Sequence, residues 1–182
     1  MRNEVILEPQ AEMLMQQVQQ ELDGDARQEN NSLIITDGSH FENGKLKPNI
    51  KYRVGEYDYN YETDSNGRIA NWSTSDLQVT EREGRLIHNP NSLGKKEGDH
   101  AGHMVADRFG GSPNLDNIVS QSQEVNLSLY KKIENQWAKA KKEGKTVTTN
   151  INIKYEGDSL RPTEFNVEYT IDGEYFCQDI LN

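Results

Sequence analysis

Two periodicities divide the chain. Near its start, Ala11, Leu14, Met15, Val18 and Leu22 recur at helical spacing, which predicts a helix over Pro9 to Leu22, followed by an acidic, polar linker over 23–32. The same period returns between Gln123 and Lys142. There Val125, Leu129, Ile133, Trp137 and Ala140 share one face, lysines cover much of the rest, and Gly144 ends the run. Elsewhere the period is two. Tyr52, Val54, Tyr57, Tyr59 and Tyr61 make one arm of a predicted hairpin, Asp64-Ser65-Asn66-Gly67 its turn, and Arg68 to Trp72 its return. Val147 to Tyr155, Phe165 to Ile171 and Tyr175 to Ile180 are predicted as strands, separated by Arg161-Pro162 and the Asp172-Gly173 turn.

The middle of the chain is less regular. Gly84 to Gly98 reads as a loop, His103 to Ala106 as a short strand, and Asp107 to Asn117 as a second loop. Asn43-Gly44 and Lys47-Pro48-Asn49 are turn signals. Together these elements predict an α+β fold with a mainly antiparallel sheet and one long helix. Residues 1–32 are expected to be either the end of an upstream region or a cap, and 33–182 the main domain.

Length and composition change this picture little. A chain of 182 residues can build one domain with a core. No apolar run approaches the roughly 18–20 residues of a membrane span, and no basic-then-apolar signal precedes the first helix. The single cysteine, Cys177, excludes an intrachain disulfide and a multi-cysteine zinc site, and its strand pattern predicts a packed side chain.

Charge changes more. The net charge of −10 argues by itself against a nucleic-acid partner. Its distribution does not: residues 85–145 carry +3, whereas 1–40 carry −6 and 146–182 carry −5. The one net-positive segment holds Gly98-Asp99-His100-Ala101-Gly102-His103, two histidines within a few residues of a glycine-rich loop, Asp107-Arg108-Phe109-Gly110-Gly111. Phosphodiester hydrolysis needs a base for water and positive charge at the phosphate. Histidine suits the first role, and a magnesium ion held by one or two oxygen side chains suits the second. Asn126 and Glu134, eight residues apart on the predicted helix, fall within about 80° of each other.

The pattern Asp99-x-x-Gly102-His103-Met104-Val105, then Asp116-Asn117-Ile118-Val119-x-Gln121, then Asn126 and Glu134, resembles the DNA/RNA non-specific endonucleases, in particular the C-terminal nuclease domains of LXG-type polymorphic toxins exported by type VII secretion. The resemblance spans about residues 45–180 and takes in Tyr57-Asp58-Tyr59, Trp137-Ala138-Lys139-Ala140 and Ser159-Leu160-Arg161-Pro162. It implies a ββα-metal core, with His103 as general base and Asn126 as ligand to Mg²⁺ or Mn²⁺. Glu134 would hold the metal's waters, Asn117 and Gln121 would support the site, and Asp99 would orient the motif. The family's Asp-Arg-Gly-His pattern has an arginine where this chain has His100-Ala101. The missing positive group then falls to Arg108 or to His100, both candidates for substrate contact, with Arg108 preferred. His40 and His88 are expected at the surface, and Arg161 in a loop salt bridge.

The resemblance also implies a DNA substrate (with RNA as the other class), a cognate immunity protein and no membrane partner. It further implies export from a Gram-positive bacterium without a classical signal peptide, action in the target-cell cytoplasm, and cleavage leaving a 5′-phosphate. The acidic balance keeps a second reading open: a catalytically degenerate nuclease fold recognised by a partner protein.

Overall fold

The computed structural model describes residues 33–182. The helix expected over Pro9–Leu22 and its linker lie outside the described residues. Ile34–Asn182 cluster as one compact unit.

Strands β1 (Ile34–Ile35), β4 (Lys51–Val54), β5 (Tyr59–Thr63), β6 (Ile69–Thr74), β9 (Val147–Tyr155), β10 (Pro162–Ile171) and β11 (Glu174–Leu181) form a seven-stranded sheet in the order β1-β4-β5-β6-β9-β10-β11. Only the short β1–β4 pairing is parallel. The antiparallel α+β expectation holds. A small hairpin, β2 (Phe41–Glu42) and β3 (Lys45–Leu46), turns at Asn43-Gly44, both at positive φ as a tight two-residue turn requires. A separate hairpin, β7 (His100–His103) and β8 (Ile118–Gln121), stands apart from the large sheet and leads into the helical segment. That segment opens with a π-helical turn, Val125–Leu129, and continues as α1, Tyr130–Lys142. The strand-strand-helix order is the ββα unit.

Alternation places Tyr52, Tyr59, Tyr61 and Trp72 on the buried face of the sheet, with mostly half-buried polar neighbours on the other. The tyrosines therefore serve as sheet packing, except Tyr57, which is partly exposed. Helix α1 lays Tyr130, Ile133, Trp137 and Ala140 on that face. The Trp137 ring meets Trp72 at 6.2 Å and Tyr169 at 5.6 Å, both edge-on. Tyr130, absent from the predicted face, is buried and ties three elements together. Its hydroxyl donates to the Met104 carbonyl at 2.8 Å and receives the Trp72 indole N–H at 3.2 Å.

Several expectations are corrected. The first hairpin arm is two strands: Gly55 and Asp58 take positive φ and turn the chain between β4 and β5. The strand expected over His103–Ala106 lies three residues earlier, because Met104 and Val105 leave the hairpin to pack in the core. His40 is buried, its Nε2 2.9 Å from the Asp116 carboxylate and its ring stacked on Tyr52. An exposed strand edge leaves Cys177 exposed too.

Candidate active site

β7 and β8 pair antiparallel, with Gly102 opposite Val119 and His103 opposite Ile118. Gly102 is dictated by its neighbour: a Cβ there would lie 2.2–2.7 Å from the Gln121 side chain. Gln121 is fully buried, and its amide finds no partner among the described residues, so it fills space beneath the motif. Asn117, also fully buried, holds the following loop. It accepts from the Val105 N–H and Tyr61 hydroxyl and donates to the carbonyls of Val105 and Ser112. Gly111 must be glycine, since a Cβ would sit 1.9 Å from the Val105 carbonyl oxygen. Asn117 and Gln121 thus lie buried behind the motif and do not line the cleft.

Asp99 precedes the hairpin and is buried against Arg161, which donates two hydrogen bonds of 2.7 and 2.9 Å to it. The Arg161 guanidinium holds the Asp99 carboxyl below its ordinary range, so it stays ionised. Arg161 also donates to the main-chain oxygen of Asn182. The Asn182 side chain in turn bonds the Ser120 carbonyl and the Ser122 N–H, at the junction of β8 and the helix. The loop salt bridge expected of Arg161 is present, and its partner is the motif's own aspartate.

Above these supports lies a cleft of about 380 Å³ lined by Arg85, His103, Arg108, Asn126, Lys131 and Glu134, among others. It adjoins a second of about 350 Å³ that holds His88, Lys95 and His100, and the two share Arg85, His103 and Asn126. The imidazole of His103 and the carboxamide of Asn126 therefore converge on one open space. The π turn explains how Asn126 and Glu134 come into line. The Tyr130 N–H reaches back five residues to the Val125 carbonyl. A π turn holds one residue more than an α turn, so eight residues behave as seven and the offset falls from about 80° to about 20°. Ser122 caps the segment, its hydroxyl accepting from the Val125 N–H. Asn126 is thereby free for the cleft, and its amide nitrogen lies 3.1 Å from His100 Nδ1.

Burial, and then the nearby His88 and Arg85, push the His103 pKa down to about 4, so its ring is neutral near pH 7. Burial pushes Glu134 up to about 7, against the opposing pull of Arg108 and Lys131. Arg108 donates to the Asn135 side chain at 2.9 Å and lies 3.7 Å from Glu134, so it is partly committed within the cleft wall.

Arg85 and His88 escaped the sequence reading. Neither lies in a motif, and an irregular loop carries them. The loop is nonetheless fixed: Asp107 accepts from the Leu86 N–H and from Arg82, while the Asn89 N–H bonds the Pro113 carbonyl. His88 stacks edge-on against His103 at 4.9 Å, not at the surface as expected. Arg85 has no ion-pair partner among the described residues and lines both pockets. The only sequence signal for it was the positive charge of the segment.

Among the described residues no cluster of three or more His, Cys, Asp or Glu is placed to hold a metal. The donor set, a neutral amide oxygen with a carboxylate nearby, instead suits a hard cation that keeps most of its water. A family model for DNA/RNA non-specific endonucleases matches residues 48–173. The chain belongs to that family. Within it, the chain is 36% identical over 147 residues to the type VII secretion system protein EssD of Staphylococcus aureus, in strains USA300 and NCTC 8325 / PS 47 alike. The match covers 76% of this chain but only 24% of those proteins, so the chain spans about a quarter of the length of these relatives. The fold is shared with magnesium-bound NucA from Streptococcus agalactiae, at a TM-score of 0.56 and 18% identity over 78% of this chain and 77% of that one. The ββα-metal architecture and endonuclease class are those of the family.

Proposed function

We propose that the protein is a Mg²⁺-dependent endonuclease with little sequence preference, cutting DNA and, as a second substrate class, RNA. The observation carrying this reading is the convergence of His103 and Asn126 on one cleft with Glu134 and Arg85. His103, neutral at pH 7, takes the proton from the attacking water. Asn126 would hold the ion through Oδ1, and Glu134 would hold its waters. Such an ion supplies positive charge at the non-bridging and leaving oxygens. Mn²⁺ suits the same oxygen donors. Arg85, Arg108 and Lys131 bind phosphate along the cleft, Arg108 while also held by Asn135 and Glu134. Asp99, through Arg161, keeps the motif in place.

The likeness to EssD supports a type VII exported toxin held by a cognate immunity protein and acting in the target-cell cytoplasm. The LXG arrangement belongs to the same proposal. Plasmid digestion with Mg²⁺, with a chelator control, tests the reaction. His103→Ala is expected to slow cleavage by about 10²–10⁴-fold, the usual worth of a positioned base. Equal digestion by both forms removes His103 from the mechanism. Expression in a bacterial cytoplasm is expected to kill with the wild-type chain and not with His103→Ala.

A further inference from the structure

The cleft has two compartments, and the proposed chemistry occupies the wall between them. Arg85, His103 and Asn126 line both, whereas Arg108, Lys131 and Glu134 belong to the first and His88, Lys95 and His100 to the second. The reaction proposed above leaves Lys95 without a task. Yet Lys95 is an uncommitted cation in a fixed place. Among the described residues its Nζ has no ion-pair partner and meets only the Pro90 carbonyl, at 3.5 Å. The one carboxylate described in that pocket, Asp99, is already neutralised by its two hydrogen bonds from Arg161. The main chain is pinned on both sides of the lysine. The Leu93 carbonyl accepts from the Ser120 hydroxyl at 2.8 Å, and Gly94, at a φ of +71°, is pressed so close that a Cβ would lie 2.6 Å from the Arg161 nitrogen. On the other side the Lys96 N–H donates to the Asp99 carboxylate at 2.9 Å. The loop is therefore ordered before anything binds, which lowers the entropy lost on binding.

A diester cut inside a polymer has a nucleotide on each side of it. With the reacting phosphate where the compartments meet, against His103 and Asn126, the strand must continue into both. The first compartment receives it with Arg108 and Lys131. The second, about 350 Å³, is of a size that holds a small ligand, and it offers Pro90 and Ala101 to a sugar or base and Lys95 to an anion. We propose that this second pocket is a subsite for the nucleotide adjoining the cut, with Lys95 holding the phosphate at that nucleotide's far end. The inference rests on the endonuclease reading above. It also gives His100 a place, since His100 lines the same pocket and was expected to contact substrate.

The test compares three probes by calorimetric titration in Mg²⁺. Thymidine 3′,5′-bisphosphate carries one phosphate for the reacting position and a second one nucleotide away; thymidine 5′-phosphate and thymidine 3′-phosphate carry only one. The wild-type chain is expected to bind the bisphosphate about tenfold more tightly than either monophosphate, the low end of what a hydrogen bond to a charged group contributes. Lys95→Ala should reduce that advantage to about twofold or less and leave the tighter-bound monophosphate unchanged, and Lys95→Arg should retain it. Lys96→Ala is the control, because Lys96 is exposed beside Lys95 but does not line the pocket; it should keep the full advantage. A wild-type chain with no preference for the bisphosphate overturns the proposal. So does a preference that survives Lys95→Ala, which would place the second phosphate in the first compartment, or one lost equally in Lys96→Ala, which would make it a general effect of surface charge. Plasmid cleavage by the wild-type chain in Mg²⁺ separates the two readings. A chain that cuts but shows no bisphosphate preference loses only the subsite, whereas one that does not cut fails the endonuclease reading itself.

Discussion

At the scale of single residues, the active site sets function against stability. Glu134 is held largely out of water, with its pKa raised to about 7. An unfolded carboxylate ionises near its ordinary 4.5, so the native state binds the extra proton between about 4.5 and 7 and loses stability as pH rises through that window. Glu134→Gln removes the effect. The variant is expected to be inactive, yet more stable than the metal-free wild type at pH 8 by about 1–3 kcal/mol, with no difference below pH 4.5. Urea unfolding at the two pH values measures this. His103 runs the other way: its lowered pKa keeps the ring neutral down to about pH 4. As pH falls through 7, Glu134 therefore takes a proton before His103 does. The apparent Mg²⁺ affinity is expected to drop between pH 7.5 and 5.5, while the rate at saturating Mg²⁺ holds until near pH 4. Loss of the saturated rate already at pH 6 contradicts that order.

At the scale of elements, the two glycines beneath the site carry a graded prediction. A methyl group at Gly102 meets the flexible Gln121 side chain, whereas one at Gly111 meets the Val105 carbonyl at 1.9 Å. Gly102→Ala is expected to cost about 1–3 kcal/mol by overpacking, and Gly111→Ala more, because backbone must move. Denaturant midpoints rank them. These elements also show what the sequence could disclose. Strands β9 and β10 and the long helix were legible because their buried faces alternate or recur, and β11 because the Asp172-Gly173 turn leads into it. The spacing of Asn126 and Glu134 was legible, but their alignment was not, since nothing in Val125–Leu129 announces a π turn. The turn at Gly55–Asp58 was hidden because Tyr57 joins two runs rich in β-formers, although its spacing of three from Val54 breaks the alternation there. The burial of His40 depends on Asp116, 76 residues away, and no local pattern reports such a pairing.

At the scale of the whole molecule, a chain of net charge −10 presents one cleft lined by Arg85, Arg108, Lys95 and Lys131. Positive charge gathered in a cleft of an otherwise acidic chain should steer phosphate there and make binding sensitive to salt. Lys131→Ala is expected to weaken DNA binding evenly across sequences and to reduce the slope of log affinity against log salt by about one. Fluorescence anisotropy in a catalytically silent background measures both.

The clamp of Arg161 and Asn182 on Asp99 and Ser122 has a temporal side as well. Both histidines, Asn126 and Glu134 leave the ribosome well before Arg161 does. Until the last two strands arrive, Asp99 lacks its arginine and the start of the helix lacks its tie to Asn182. A polypeptide halted at Lys154 would own every group of the proposed site and still lack the clamp that braces it.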